Sequence, residues 1–227
     1  MFVFDAFGTL FDVHSATRSN ADALGPNAQR FSDIWRAKQL EYAWIYAGIY
    51  SGVSGGMGDA AARPVPSFSE ITRLSLDYAL TASGSSQDLA PRLLASYQRL
   101  APFADVADSL AKLKAGGGRL AILSNADPDF LEQLVGHAQL RGMFDRLLSV
   151  SAAGTFKPSP RVYQLATDAF GCQPGDITFV SANRWDCAGA KAFGFRTVWV
   201  NRSGAPSEYA DLAADRVVAD LSGGALA

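Results

Sequence analysis

Phe2-Val3-Phe4-Asp5-Ala6-Phe7-Gly8-Thr9 places three apolar residues ahead of a carboxylate and a glycine turn. A run this short and this apolar reads as a strand buried on both faces. Four more such runs follow, at Leu120 to Leu123, Leu147 to Val150, Ile177 to Val180 and Thr197 to Val200. Between them the spacing predicts helices over Val106 to Ala115, Pro128 to His137, Pro160 to Phe170 and Asp186 to Phe193. Strand alternating with helix predicts an α/β fold, a doubly wound parallel sheet. A last strand is expected around Val217-Val218-Ala219-Asp220. Asp127-Pro128 and Ser159-Pro160 each put a capping residue before a proline at the first helical position.

Residues 13–100 break the alternation. They hold helical stretches at Phe31 to Tyr50, Phe68 to Leu80 and Asp88 to Leu100, with a Gly, Ser, Ala and Pro-rich piece from Ser51 to Pro66 that reads as a long loop. The expected organisation is an α/β core domain over 1–12 and 101–227 and an inserted helical cap domain over 13–100.

The chain has 227 residues, 48% hydrophobic and 19% charged, with a net charge of -2. That is enough to bury one substantial core with an insert. Lys and Arg are scattered, so no basic stripe invites nucleic acid. No stretch approaches the roughly 18 apolar residues of a membrane span, and Asp5 follows Met1 too soon for a secretory signal. Cys172 and Cys187 are too few for a disulfide framework. The expected compartment is the cytoplasm.

In an open parallel sheet, ligands bind beyond the carboxyl ends of the strands. Those places carry Asp5-Ala6-Phe7-Gly8-Thr9, Ser124-Asn125, Lys157-Pro158 and Ser181-Ala182-Asn183-Arg184-Trp185-Asp186. They bring two carboxylates, an ammonium and several hydroxyl and amide groups to one edge. His14 and His137 have no ligand-like neighbours in sequence, so no metal site is expected from them.

This set resembles the haloacid dehalogenase superfamily over essentially the whole chain. Its phosphatases carry Asp-x-Asp-x-Thr and a paired acidic motif for magnesium. Here Phe7 stands at the second aspartate and Ala182 at a metal-ligand position. A halide leaves as a stable anion and needs no general acid, so both departures favour carbon-halide over phosphate chemistry. Trp35-Arg36-Ala37-Lys38-Gln39-Leu40-Glu41-Tyr42 and Phe179 through Asp186 sharpen the resemblance to the L-2-haloacid dehalogenases.

The resemblance implies hydrolysis of small (S)-2-haloacids to (R)-2-hydroxyacids and halide, without metal or other cofactor. Asp5 is then the nucleophile, forming an aspartyl ester with inversion at C2. Lys157 supplies positive charge beside it. Asp186, with Ser181 and Asn183, handles the hydrolytic water, while Thr9 and Tyr163 orient Asp5 and Lys157. Arg36 receives the halide, joined by Asn125. Ser124 and the backbone amides of Ala6 and Phe7 hold the substrate carboxylate, and Leu40, Phe68 and Trp185 form an apolar wall.

By periodicity alone Arg36 equally fits a solvated helix face with Lys38 and Glu41. Three rival functions stay open at this point: a magnesium-dependent phosphatase on the same fold, a ring-opening hydrolase of azetidine-2-carboxylate type, and a binding protein that has lost activity. The resemblance also implies a homodimer, partly through cap helices. The long stretch between Arg36 and Phe68 is a departure that bears on chain length or halide preference.

Overall fold

The structure is a computed structural model that describes residues 1–50 and 65–226. The piece expected as a loop over Ser51 to Pro66 therefore lies outside the described residues, apart from its last two positions.

Six strands make one sheet in the order β3-β2-β1-β4-β5-β6: β1 (Phe2–Phe4), β2 (Leu120–Ser124), β3 (Arg146–Ser149), β4 (Thr178–Ser181), β5 (Arg196–Val200) and β6 (Arg216–Val218). Every pairing is parallel. The chain leaves β1 for β2 and β3 on one side, then crosses to β4, β5 and β6 on the other. That reversal makes the crevice between β1 and β4 the topological switch point of the sheet. Phe4 is in register with both Ile122 and Val180, so the residues following β1 and β4 emerge side by side.

The central strands read as continuous apolar runs because helices cover both faces; all five residues of β2 are buried. Nine α-helices occur among the described residues. Between β1 and β2 come α1 (Ser15–Arg18), α2 (Ala21–Leu24), α3 (Ala28–Tyr50), α4 (Phe68–Ser83), α5 (Ala90–Tyr97) and α6 (Val106–Ala115). After β2 come α7 (Pro128–His137), α8 (Pro160–Phe170) and α9 (Arg184–Phe193). Helix α3 buries Phe31, Trp35, Gln39 and Ala43, a stripe at i, i+4 spacing that packs on α4. Helix α4 starts at Ser67, whose hydroxyl accepts from the Glu70 amide at 3.1 Å, and stops at Gly84 in the left-handed region.

Most expected elements fall within two or three residues of these bounds. Val150 turns out of the third strand into a short 3-10 segment, and the stretch expected from Asp88 divides into a 3-10 turn and α5. Asp127 and Ser159 stand at the N-caps with a proline next, as expected, but the capping bonds do not form. Neither Asp127 nor Ser159 makes a side-chain bond to its own helix. Asp127 instead reaches across to α4, taking the amides of Phe68 and Ser69 at 3.0 and 2.9 Å and the Ser69 hydroxyl at 2.5 Å. A carboxylate there complements the positive end of α4, so the loop after β2 is tied to the helical insert.

Candidate active site

Asp5 follows directly on β1, and its amide still donates to the Val180 carbonyl at 2.9 Å. The next residues fold back in a tight turn. The Ala6 carbonyl accepts from the amides of Thr9, Leu10 and Phe11, and Gly8 sits at φ +84. A β-carbon is strained at that angle, so glycine is what lets Thr9 fold back to Asp5. The Thr9 hydroxyl donates to Asp5 Oδ2 at 2.9 Å and accepts from the Ala182 amide at 2.8 Å.

From β4 and the start of α9 come three more groups. Asn183 Nδ2 donates to Asp5 Oδ2 at 2.7 Å and to the Phe7 carbonyl at 2.9 Å. The Ser181 hydroxyl lies 3.3 Å from Asp5 Oδ2 and 3.2 Å from Asp186 Oδ2; its single proton serves one of them at a time. Lys157 arrives from the loop before α8 with its backbone amide held by Asn125 Oδ1 at 3.2 Å. Its Nζ stands between the carboxylates, 3.0 Å from Asp5 Oδ1 and 2.8 Å from Asp186 Oδ2.

Asp5, Lys157 and Asp186 are all buried, so their charges interact with little screening from water. Burial works against the Lys157 charge, but Asp186 and Asp5 outweigh it and hold the ammonium above its usual range. Burial and the nearby Asp5 push Asp186 up to about 6, opposed by Lys157 and Tyr163. That leaves Asp186 poised to take a proton on the acid side of neutral pH. The neighbouring Cys187 thiol is driven up by burial and by Asp186, so it stays protonated and donates to backbone carbonyls.

Tyr163 differs from expectation. Its hydroxyl donates to Asp186 Oδ1 at 2.8 Å and lies 3.2 Å from the Asp186 carbonyl, so it steadies the second carboxylate and not Lys157. The contact depends on Gly189 in α9. A β-carbon built there would lie 2.5 Å from the Tyr163 hydroxyl and 2.7 Å from Pro158 Cβ.

On the insert side, Arg36 of α3 reaches the same crevice, with Nη2 3.3 Å from Asn183 Oδ1. Its other terminal nitrogen donates to Gln39 Oε1 at 2.8 Å. The structure thus brings Arg36 to Asn183, while Asn125 serves the Lys157 backbone. The Ser124 hydroxyl accepts from the Ala126 amide. Leu40 lies one turn beyond Arg36 and is half-buried.

The expected apolar wall is divided. Phe68 joins Phe7, Tyr97 and Phe130 in an aromatic cluster with ring centres 5.0 to 6.2 Å apart. Trp185 packs edge-on against Trp44 at 5.3 Å and borders a different cavity of about 430 Å³. Thr155 and Phe156 line that cavity and also the one beside Phe68.

Sequence reasoning missed Gln39, Thr72 and Tyr97. Tyr97 is buried under Arg36, with its hydroxyl 3.0 Å from Gln39 Oε1, and burial raises it above the ordinary phenol range. The signal for Gln39 was its place as a polar residue inside the apolar i, i+4 stripe of α3. Tyr97 carried no comparable signal.

The residues do not fit a divalent cation. The Lys157 ammonium already sits between the two carboxylates, Phe7 stacks in the aromatic cluster, and no group of three or more His, Cys, Asp or Glu able to hold a metal occurs among the described residues.

An aspartate at the end of the first strand, paired with a buried lysine and a second carboxylate at the switch point, defines a class of α/β hydrolases. A family model described as haloacid dehalogenase-like hydrolase matches residues 1–194. An (S)-2-haloacid dehalogenase of Pseudomonas sp. (strain YL) is 41% identical over 203 residues, 88% of this chain and 82% of that protein. The solved structure of a dehalogenase with intermediate complex superposes with a TM-score of 0.89 at 37% identity, covering 97% of this chain and 93% of that one. The L-2-haloacid dehalogenase of Xanthobacter autotrophicus with chloropropionic acid covalently bound gives 0.82 at 34% identity, covering 97% and 94%. The chain belongs to the haloacid dehalogenase-like hydrolases, in the L-2-haloacid dehalogenase family.

Proposed function

We propose that this enzyme hydrolyses small (S)-2-haloacids to (R)-2-hydroxyacids and halide through an ester on Asp5, with no metal ion. The observation that carries the reading is the unequal treatment of the two Asp5 oxygens. Oδ2 is held by Thr9 and Asn183, with Ser181 in reach, while Oδ1 meets the Lys157 ammonium. Oδ1 thus keeps lone pairs for attack on C2, opposite the carbon-halogen bond. The C2–O bond forms as the halide leaves with the bonding pair, and C2 inverts.

The ester carbonyl oxygen is then Oδ2, already surrounded by donors where negative charge develops during hydrolysis. Water attacks the Asp5 carbonyl carbon and gives its proton to Asp186, and the C2–O bond is untouched. The Asp5 Cγ–Oδ1 bond then breaks, Oδ1 takes the proton back from Asp186 and leaves as the product's hydroxyl, and the second water proton is released as Asp5 returns to a carboxylate. Arg36 receives the halide; Ser124 and the Ala6 and Phe7 amides orient the substrate carboxylate; Leu40 and Phe68 border the apolar part of the substrate, while Trp185 lines the adjoining cavity. Residues 13–100 act as the cap over this site, closing on the core of 1–12 and 101–227. The Asp127 bridge to α4 supports that arrangement.

The reading includes a homodimer in the cytoplasm. Trp44, Ile45 and Ile49 of α3 and Tyr78 of α4 are large apolar side chains left exposed on the insert, the kind of patch a partner copy covers. Sedimentation at micromolar concentration is expected to give twice the chain mass; a monomer throughout contradicts the dimer. The two cysteines are free thiols, which suits a reducing compartment.

The direct assay is halide release from (S)- and (R)-2-chloropropionate in the presence of a chelator, with the configuration of the lactate determined. Release from the (S)-isomer alone, giving (R)-lactate, is expected. Release from neither isomer removes the haloacid reading. Activity restored only by magnesium on phosphate esters favours the phosphatase.

A further inference from the structure

An arginine on a half-exposed helix face has rotamer freedom to lose before it is useful at a fixed point. Gln39, one turn along α3 from Arg36, supplies the restraint. It is 1% exposed, and three of the four hydrogen-bonding positions of its carboxamide are used. Oε1 accepts from Arg36 Nη1 at 2.8 Å and from the Tyr97 hydroxyl at 3.0 Å, and Nε2 donates to Thr72 Oγ1 at 2.8 Å.

The amide has only one sensible orientation. Thr72 gives its own proton to the Phe68 carbonyl at 2.8 Å, so its oxygen faces Gln39 as an acceptor and demands the nitrogen. The reversed amide would set NH2 against a guanidinium and an O–H donor. Behind this, the Tyr97 ring is wedged between Phe7 and Trp35, and the Trp35 indole donates to the Thr72 carbonyl at 3.1 Å. A polar line therefore runs from Thr72 through Gln39 and Arg36 to Asn183 and Asp5.

We infer that Gln39, backed by Thr72 and Tyr97, is a positioning residue that aims Arg36 at the departing halide. The inference rests on the halide role proposed for Arg36. A fixed cation matters most for the poorer leaving group, because chloride depends more than bromide on charge stabilisation as the bond breaks. The consequence is selective, and a merely structural role for Gln39 would not produce it.

The test compares kcat/KM on (S)-2-chloropropionate and (S)-2-bromopropionate for the wild type, Gln39→Met, Thr72→Val and Arg36→Met. The ratio between two substrates is independent of the folded fraction. Gln39→Met keeps length but loses all three hydrogen bonds; a guanidinium misplaced by about 1 Å costs on the order of 100-fold. The expected result is a loss of that order on the chloro acid and a clearly smaller loss on the bromo acid. Thr72→Val should move the ratio in the same direction by less, and it carries the test if Gln39→Met does not fold. Equal losses on both substrates in Gln39→Met and Thr72→Val, with Arg36→Met shifting the ratio, overturn the brace and leave the halide role standing. An unchanged ratio in Arg36→Met itself overturns the halide role, and the brace with it.

Discussion

At the scale of single residues, the chemistry turns on a buried set of two carboxylates and one ammonium. Removing the Lys157 ammonium from such a set leaves two buried carboxylates uncompensated, a loss of about 3–5 kcal/mol when the groups are fully buried. In the proposed mechanism Asp186 carries the pH dependence. Burial and Asp5 place it at about 6, so it protonates as pH falls through that value and can no longer accept the proton of the hydrolytic water. Ester hydrolysis should therefore decline on the acid side around pH 6. Asp186→Asn should release about one halide per enzyme and then stall, at every pH. Rapid-quench halide release measures both; steady turnover in Asp186→Asn contradicts the assignment. The same shift has the opposite sense for stability. The folded chain keeps a proton between 3.8 and about 6 that the unfolded chain has released. This group's contribution is thus fully present at low pH and is lost as pH rises through about 6. Asp5, Lys157 and Asp186 were legible because each stands just beyond an apolar run. Gln39 was not, since a polar residue on a long helix reads as surface until its stripe is counted. Asp127 was misread because its carboxylate serves a helix distant in sequence.

At the scale of elements, α8 and α9 meet where Gly189 leaves room for Tyr163. Gly189→Ala would drive a β-carbon to 2.5 Å from the hydroxyl that holds Asp186. Overpacking of this kind costs about 1–3 kcal/mol. Gly136, near the end of α7, is the control, because a β-carbon there meets nothing within 4 Å, and replacing glycine by alanine where the backbone is compatible gains about 0.4–1 kcal/mol. Melting curves should move in opposite directions for the two variants, with ester hydrolysis slowed only in Gly189→Ala. A stable, fully active Gly189→Ala contradicts the packing account. Ser159-Pro160 made the start of α8 legible, whereas the close crossing at Gly189 is a tertiary fact that no local pattern records. In the insert, the apolar period of α3 and α4 was readable. Its pairing with the loop after β2 depends on contacts far apart in sequence.

At the scale of the whole molecule, the parallel sheet with its reversal between β1 and β4 gathers Asp5, Ser181, Asn183 and Asp186 at one crevice. The insert lowers Arg36 onto the same place. Five of the six strands could be read as apolar runs, and the sixth from Val217-Val218. Strand order is not written in any one run; it follows from how the connections cover both faces. The central claim for the assembled site is that Asp5, and not water, attacks C2. A single turnover of (S)-2-chloropropionate by excess enzyme in oxygen-18 water tests it most directly, with mass analysis of the lactate and of the peptide carrying Asp5. The account predicts unlabelled lactate and one heavy oxygen in the Asp5 carboxylate. Heavy oxygen in the first lactate formed, with Asp5 unlabelled, would contradict it.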